Sequence, residues 1–181
     1  VVEGFEAGGH NGKDELTTMS LIPLVKKEIK IPIIAAGGIA SGQAILAAFS
    51  LGAEGVQIGS LFASSEESSA HDNFKKAIVD AAENDTILTL KELAPVRLLK
   101  NPFYQKILDT YQKGASTKEL KKLLGRGRAK KGIFEGNLDE GELEIGQVSA
   151  QIEEIKSVKE IMQEIITDFN STKIALNNFD F

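Results

Sequence analysis

Of the two histidines in the 181 residues, His10 lies inside Gly4-Phe5-Glu6-Ala7-Gly8-Gly9-His10-Asn11-Gly12, where four of nine residues are glycine. An imidazole titrates near neutral pH and can accept or give a proton there. Glycine lets the backbone turn tightly and approach a ligand closely. Together they suit proton handling beside a bound molecule; the competing reading is a surface histidine in a turn. Two more glycine clusters follow, Ala35-Ala36-Gly37-Gly38-Ile39-Ala40 and Gln57-Ile58-Gly59-Ser60-Leu61-Phe62. Backbone N–H groups at a glycine turn ahead of a helix suit a phosphate, and the Ser60 hydroxyl can donate to a phosphate oxygen. Close packing of strand on helix selects the same small residues. Glu66, Glu67 and His71 form another polar group. Glu67 and His71 would share a face if that stretch were helical, as metal ligation requires; a helix cap with a solvated face is the preferred reading. Arg126, Arg128, Lys130 and Lys131 make a basic, glycine-containing loop that suits an acidic partner or a dinucleotide phosphate, against plain solvation as the alternative.

The elements that must position these groups fall into two kinds. Residues 1–62 hold ten of the 17 glycines and three short apolar runs. Val1–Phe5, Ile31–Ala36 and Glu54–Ile58 read as strands, the second apolar throughout and so suited to a parallel sheet covered on both faces. Helices are expected over Met19–Ile29, capped by Thr17 or Thr18, and over Gly42–Leu51. Strand, glycine loop and helix thus recur three times, which implies right-handed βαβ units. Each glycine cluster falls at the carboxyl end of a strand, the functional edge of parallel α/β folds. Residues 73–181 are read as a helical extension. Helices are expected over Asn73–Glu83, Pro102–Gln112, Ser116–Leu124, Ile145–Ile155 and Ser157–Phe169, with capping boxes at Ser116/Glu119 and Ser157/Glu160. Leu88–Leu99 is ambiguous around Pro95, and residues 170–181 read as a fraying tail. The expected division is 1–72 for the parallel α/β portion and 73–181 for the extension.

Composition narrows the chemistry. The chain has no cysteine, so thiolate catalysis, disulfides and cysteine-held metal clusters are excluded. The net charge of −5 argues against nucleic acid as a partner. No apolar run approaches the roughly 20 residues of a membrane span. No signal peptide is seen at Val1-Val2-Glu3, and a cytoplasmic location is expected. The chain opens on what reads as the middle of a strand, which suggests a piece of a longer polypeptide.

Taken in order, Gly4–Gly12, Thr17-Thr18-Met19, Ile33–Ala40 and Val56–Phe62 resemble the nitronate monooxygenase (2-nitropropane dioxygenase) family of flavin TIM barrels. Glu67-Ser68-Ser69-Ala70-His71 and the Thr-Thr-Met segment make the chain most similar to its bacterial enoyl-acyl-carrier-protein reductase II branch. The resemblance extends into Ile133–Gly136 and Glu142–Gln147. It implies the C-terminal part of a (β/α)8 TIM barrel, about its last three strands, with a helical C-terminal extension. It implies FMN as cofactor and no metal. Gly9, Gly37, Gly38, Gln57, Gly59 and Ser60 would bind FMN, with the phosphate on Gly37, Gly38, Gly59 and Ser60. His10 would be the catalytic histidine. The phosphate loops of such barrels follow strands seven and eight, which makes the His10 strand the sixth.

In the reductase branch NADH supplies the electrons and an enoyl thioester of acyl carrier protein is reduced in fatty-acid synthesis. In the monooxygenase branch His10 would act as a base on a small nitroalkane. Further alternatives are a non-catalytic flavin- or phosphate-binding fragment and a sugar-phosphate barrel enzyme. The expected partners are the missing N-terminal half of the barrel, possibly as another chain, and a second copy in a homodimer. Family members usually carry Thr where Ser60 stands; the hydroxyl is retained.

Overall fold

A computed structural model of the chain describes residues 1–178. Its first layer is a parallel sheet of β1 (Val2–Glu3), β3 (Ile34–Ala36) and β4 (Gly55–Gln57), in the order β1-β3-β4. The register pairs Val2 with Ala35, and Ala35 with Val56. These are the three strands expected from the apolar runs, each shorter than the run that signals it.

Between them run α1 (Thr18–Glu28) and α2 (Gly42–Ser50). Thr17 caps α1, its side chain accepting from the Ser20 N–H, and Ser41 caps α2 by accepting from Ala44. Thr18 has a different task. It is buried, and its hydroxyl lies 2.8 Å from the Gly37 carbonyl and 3.2 Å from the Glu6 carboxylate. It therefore ties the start of α1 to the loops after β1 and β3. Ile22, Ile33, Ala35, Ile45 and Ala48 form the core between sheet and helices.

One short strand and a hairpin form a second, antiparallel sheet. The Gly-Gly-His segment is not a free loop: β2 (Gly9–His10) pairs with β6 (Val96–Leu99), which pairs in turn with β5 (Thr86–Thr89). The extension expected to be helical thus carries a β-hairpin where Leu88–Leu99 read as ambiguous. Leu90 turns it, at φ 55°. Pro95 precedes β6 and accepts from the Asn11 N–H instead of donating to the ladder.

The other elements of this half are α3 (Ser60–Ala63), α4 (Asp72–Val79), α5 (Pro102–Gln112), α6 (Thr117–Leu124), α7 (Arg128–Ile133) and α8 (Val158–Leu176). Both expected capping boxes are present. The helix expected over Ile145–Ile155 is instead an extended stretch followed by a 3-10 turn at Gln147–Gln151. Helix α8 runs seven residues past Phe169, into what reads as the tail; residues 179–181 of that tail lie outside the described residues.

Helix α8 returns to the parallel layer and packs on α2, where Ile161 and Ile165 join the core and Phe169 meets Phe49 edge-on at 5.9 Å. The contact is backbone-close at Gly42: a Cβ there would lie 2.1 Å from the Phe169 nitrogen. Gly42→Ala is therefore expected to force the helices apart and destabilise the fold by about 1–3 kcal/mol, read as a fall in the denaturant midpoint.

Among the described residues no helix is long and apolar enough to cross a membrane. Arg128, expected in an open basic loop, is turned inward. It stacks on Phe103 at 4.4 Å and donates to the carbonyls of Leu123 and Leu124 and to Glu140.

Candidate active site

The carboxyl ends of the three parallel strands open into a cleft of about 300 Å³. Gly9, Gly37, Gly38, Gln57, Gly59 and Ser60 all line it, so the structure brings together the six residues named as cofactor-binding. His10 is not in the lining. It is solvent-exposed on β2, one residue beyond Gly9 at the cleft wall.

Each glycine turn has its own physical reason. Gly37 and Gly38 sit at φ 86° and 71°, backbone that side chains rarely adopt. Gly37 also presses on the Gly4 carbonyl, which lies 2.6 Å from where its Cβ would be. Packing alone accounts for glycine there. Gly59 is different. Its φ of −98° suits any residue, and a Cβ would meet nothing within 4 Å. Neither backbone angle nor neighbouring atoms ask for glycine at this place.

The N–H groups of Gly37, Gly38 and Gly59 donate to no backbone carbonyl in the turns and caps of the described residues. Ser60 accepts from the Gly146 N–H at 3.0 Å, which leaves its own hydrogen to donate. Donors without acceptors, beside an open Cβ direction, fit an anionic group such as a phosphate.

The His10 segment is held from several sides. Asn11 Nδ2 donates to the Ala7 and Gly9 carbonyls, at 2.9 and 3.0 Å. Glu6 accepts from the Thr18 N–H. Arg97, buried on β6, donates from Nε to the Phe5 carbonyl at 3.0 Å and lies over the Phe5 ring.

Glu67 and His71 do not converge on a metal. The stretch between α3 and α4 is not helical. Glu67 accepts from the Val158 N–H at the start of α8, and His71 caps α4 by accepting from Asn73. Gly136 packs against the His71 ring.

The cleft also contains residues that motif reading did not single out as site residues: Glu3, Glu6, Glu144 and the Ile145-Gly146 backbone. The signal for Glu144 was on the page, since Glu142 and Glu144 flank a single leucine in a segment that is otherwise apolar or glycine. Burial raises the carboxyl of Glu3 above its ordinary value. Burial likewise raises Glu144, and the charge of His10 opposes it. Glu142 is pushed up to about 7, by burial first and then by Glu144, against a smaller opposing pull from Arg128.

A carboxyl raised in the folded state binds more protons there than in the unfolded chain. Glu142 therefore adds stability that is full below about pH 4.5 and is lost as pH rises through about 7. Glu142→Gln is expected to stabilise the protein by about 1–2 kcal/mol at pH 8 and by little at pH 4.5, measured by denaturant unfolding at the two pH values.

The chain is similar in fold and sequence to several known proteins. FabK from Thermotoga maritima superposes on 98% of the chain with a TM-score of 0.90 and 40% identity, and the chain covers 56% of it. A nitroalkane oxidase from Streptomyces ansochromogenes matches 96% of the chain with a TM-score of 0.76 and 26% identity, over 52% of its own length. A Staphylococcus saprophyticus protein described as a probable nitronate monooxygenase is 42% identical over 59% of the chain and 33% of its own length. The chain thus spans about half the length of these solved structures and a third of that curated relative. Its α/β fold is the C-terminal part of a TIM barrel. The sequence model of the nitronate monooxygenase family matches residues 1–168, and the chain belongs to that family of oxidoreductases.

Proposed function

We propose that the chain is the cofactor-binding part of an FMN-dependent reductase that takes electrons from NADH and reduces the enoyl thioester of acyl carrier protein. The observation that carries the flavin reading is Gly59, which lines the cleft and whose added Cβ would meet no atom within 4 Å. The likeness to FabK at 40% identity supports the reductase reading within the family.

Gly37, Gly38, Gly59 and Ser60 would hold the FMN phosphate by N–H and O–H donation, with Gly9 and Gln57 along the same cleft. Bound FMN would supply hydride chemistry that no side chain here can perform. The protein's part is then binding, orientation and protons. His10 orients the thioester and handles the proton that its reduction requires. Asn11, Arg97 and Glu6 keep the His10 segment in place.

The parallel sheet ends at β1 and β4, which pair with no further strand among the described residues. Val1 and Ile31 are exposed, as is Ile34 on β3. We assign these edges and side chains to the remaining barrel strands, from elsewhere in the same polypeptide or from a companion chain. We further propose a homodimer and a cytoplasmic location.

The second reading is a nitronate monooxygenase, favoured by the S. saprophyticus relative and the nitroalkane oxidase fold match. His10 would then take a proton from a small nitroalkane.

Flavin binding is tested by titrating the protein with FMN and following flavin fluorescence. Saturable quenching at one FMN per protein is expected, and its absence would overturn both readings.

A further inference from the structure

The basic segment that composition singles out takes no part in the cleft chemistry. Seven of the 21 basic side chains fall within residues 118–131, beside one acidic residue, in a chain whose net charge is −5. Positive charge is thus gathered on α6, α7 and the turn between them. The acidic residue, Glu119, is held by the capping box, where it accepts from the Ser116 N–H and hydroxyl at 2.8 and 2.7 Å.

Arg128 builds this surface from beneath. Its bonds to the Leu123 and Leu124 carbonyls and its stacking on Phe103 tie the end of α6 to the start of α7. Lys118, Lys121, Lys122, Arg126 and Lys130 stay exposed. Of these, Lys130 alone makes an ion pair among the described residues, with Glu135 at 3.7 Å, and both partners are open to solvent. Lys121 and Lys122 complement the carboxyl end of α6. Lys118 does the reverse: it stands in the first turn, where the helix dipole disfavours a cation. It also lies four residues before Lys122, a spacing at which like charges repel. The surface adjoins the cleft. Helix α7 ends on Ile133, which lines the cleft, and the next residue, Phe134, is 53% exposed.

We propose that the exposed cations of α6 and α7 form the docking surface for the acidic face of the carrier protein that brings the enoyl thioester to the cleft. The proposal rests on the reductase reading. Helix α6 alone is about 12 Å long. Cations spread over that length and onto α7 do not converge on the pyrophosphate of a dinucleotide; they match the scale of a protein surface. Complementary charge of this kind speeds encounter and fixes orientation, and salt screens it.

The test is the double variant Lys118→Glu/Arg126→Glu in the FMN-loaded, full-length protein. Both side chains are exposed, and glutamate suits the first turn of a helix. Turnover of crotonyl-acyl carrier protein is compared with that of crotonyl pantetheine, a thioester without the protein. The expected result is a fall in kcat/KM of about tenfold for the carrier-bound thioester, carried by KM. Turnover of the pantetheine thioester, the KM for NADH and flavin content stay unchanged. Added salt lowers the parent's kcat/KM for the carrier-bound thioester and leaves the variant's nearly flat. Lys118→Gln/Arg126→Gln shows a smaller fall of the same kind, and takes the place of the charge reversal if that variant fails to fold. Unchanged kcat/KM for the carrier-bound thioester would overturn the proposal and leave the reductase reading standing. Equal losses with both thioesters, or a raised KM for NADH, would also overturn it, the first as structural damage and the second as dinucleotide binding. Failure of the parent to reduce either thioester would overturn the reductase reading, and the proposal with it.

Discussion

His10→Ala is expected to keep bound FMN and to lose about 10²- to 10⁴-fold in turnover, the usual contribution of a positioned acid or base. The two effects separate because of where the side chain stands. His10 is exposed on β2 and outside the cleft lining, so its removal leaves the glycine turns and the core untouched. The β2–β6 ladder uses backbone groups, and Asn11 holds the turn through carbonyls of Ala7 and Gly9. Steady-state turnover and flavin content, measured on the same preparation, check the prediction. Unchanged turnover would remove His10 from the mechanism.

Gly59→Val carries the second large effect. Val adopts a φ of −98° without strain, and nothing lies within 4 Å of the new Cβ. The apoprotein should fold and melt as the parent does. The added methyl groups enter the space assigned to the phosphate and displace it from the donor groups. Overpacking and lost charge-assisted hydrogen bonds together should weaken FMN binding by about 10²-fold or more. Colourless protein with an unaltered melting temperature is the expected outcome. Full flavin occupancy would show that the phosphate sits elsewhere.

Much of the parallel layer was legible in the sequence. The apolar runs, the cap at Thr17 and the glycine clusters are local signals, and local signals are what a sequence displays. The same holds for α5, opened by Pro102, and for both capping boxes. The failures are long-range. Leu88–Leu99 becomes a hairpin because β6 has β2 to pair with, some 85 residues upstream. Ile145–Ile155 stays non-helical because Gly146 packs against Ser60 and the Gly8 nitrogen, 2.8 and 3.2 Å from where a Cβ would be. Helical propensity cannot register a partner so distant in the chain.

The site divides in the same way. Gly9, Gly37, Gly38, Gly59 and Ser60 were visible as turn chemistry at strand ends, while Gln57 entered only through the family resemblance. Glu144 was marked only by its place beside Glu142 in an otherwise apolar segment, and nothing local ties it to the site, to which the fold carries it at Gly9. Arg128 misled in the opposite direction: a basic, glycine-rich run suggests an exposed loop, yet this guanidinium covers Phe103.

The reductase reading is tested most directly by stopped-flow absorbance of the FMN-loaded, full-length protein under anaerobic conditions, mixed first with NADH and then with crotonyl thioester. The account predicts fast bleaching of the flavin band by NADH and its return on addition of the thioester. No bleaching by NADH, with bleaching by a nitronate instead, would contradict it in favour of the monooxygenase.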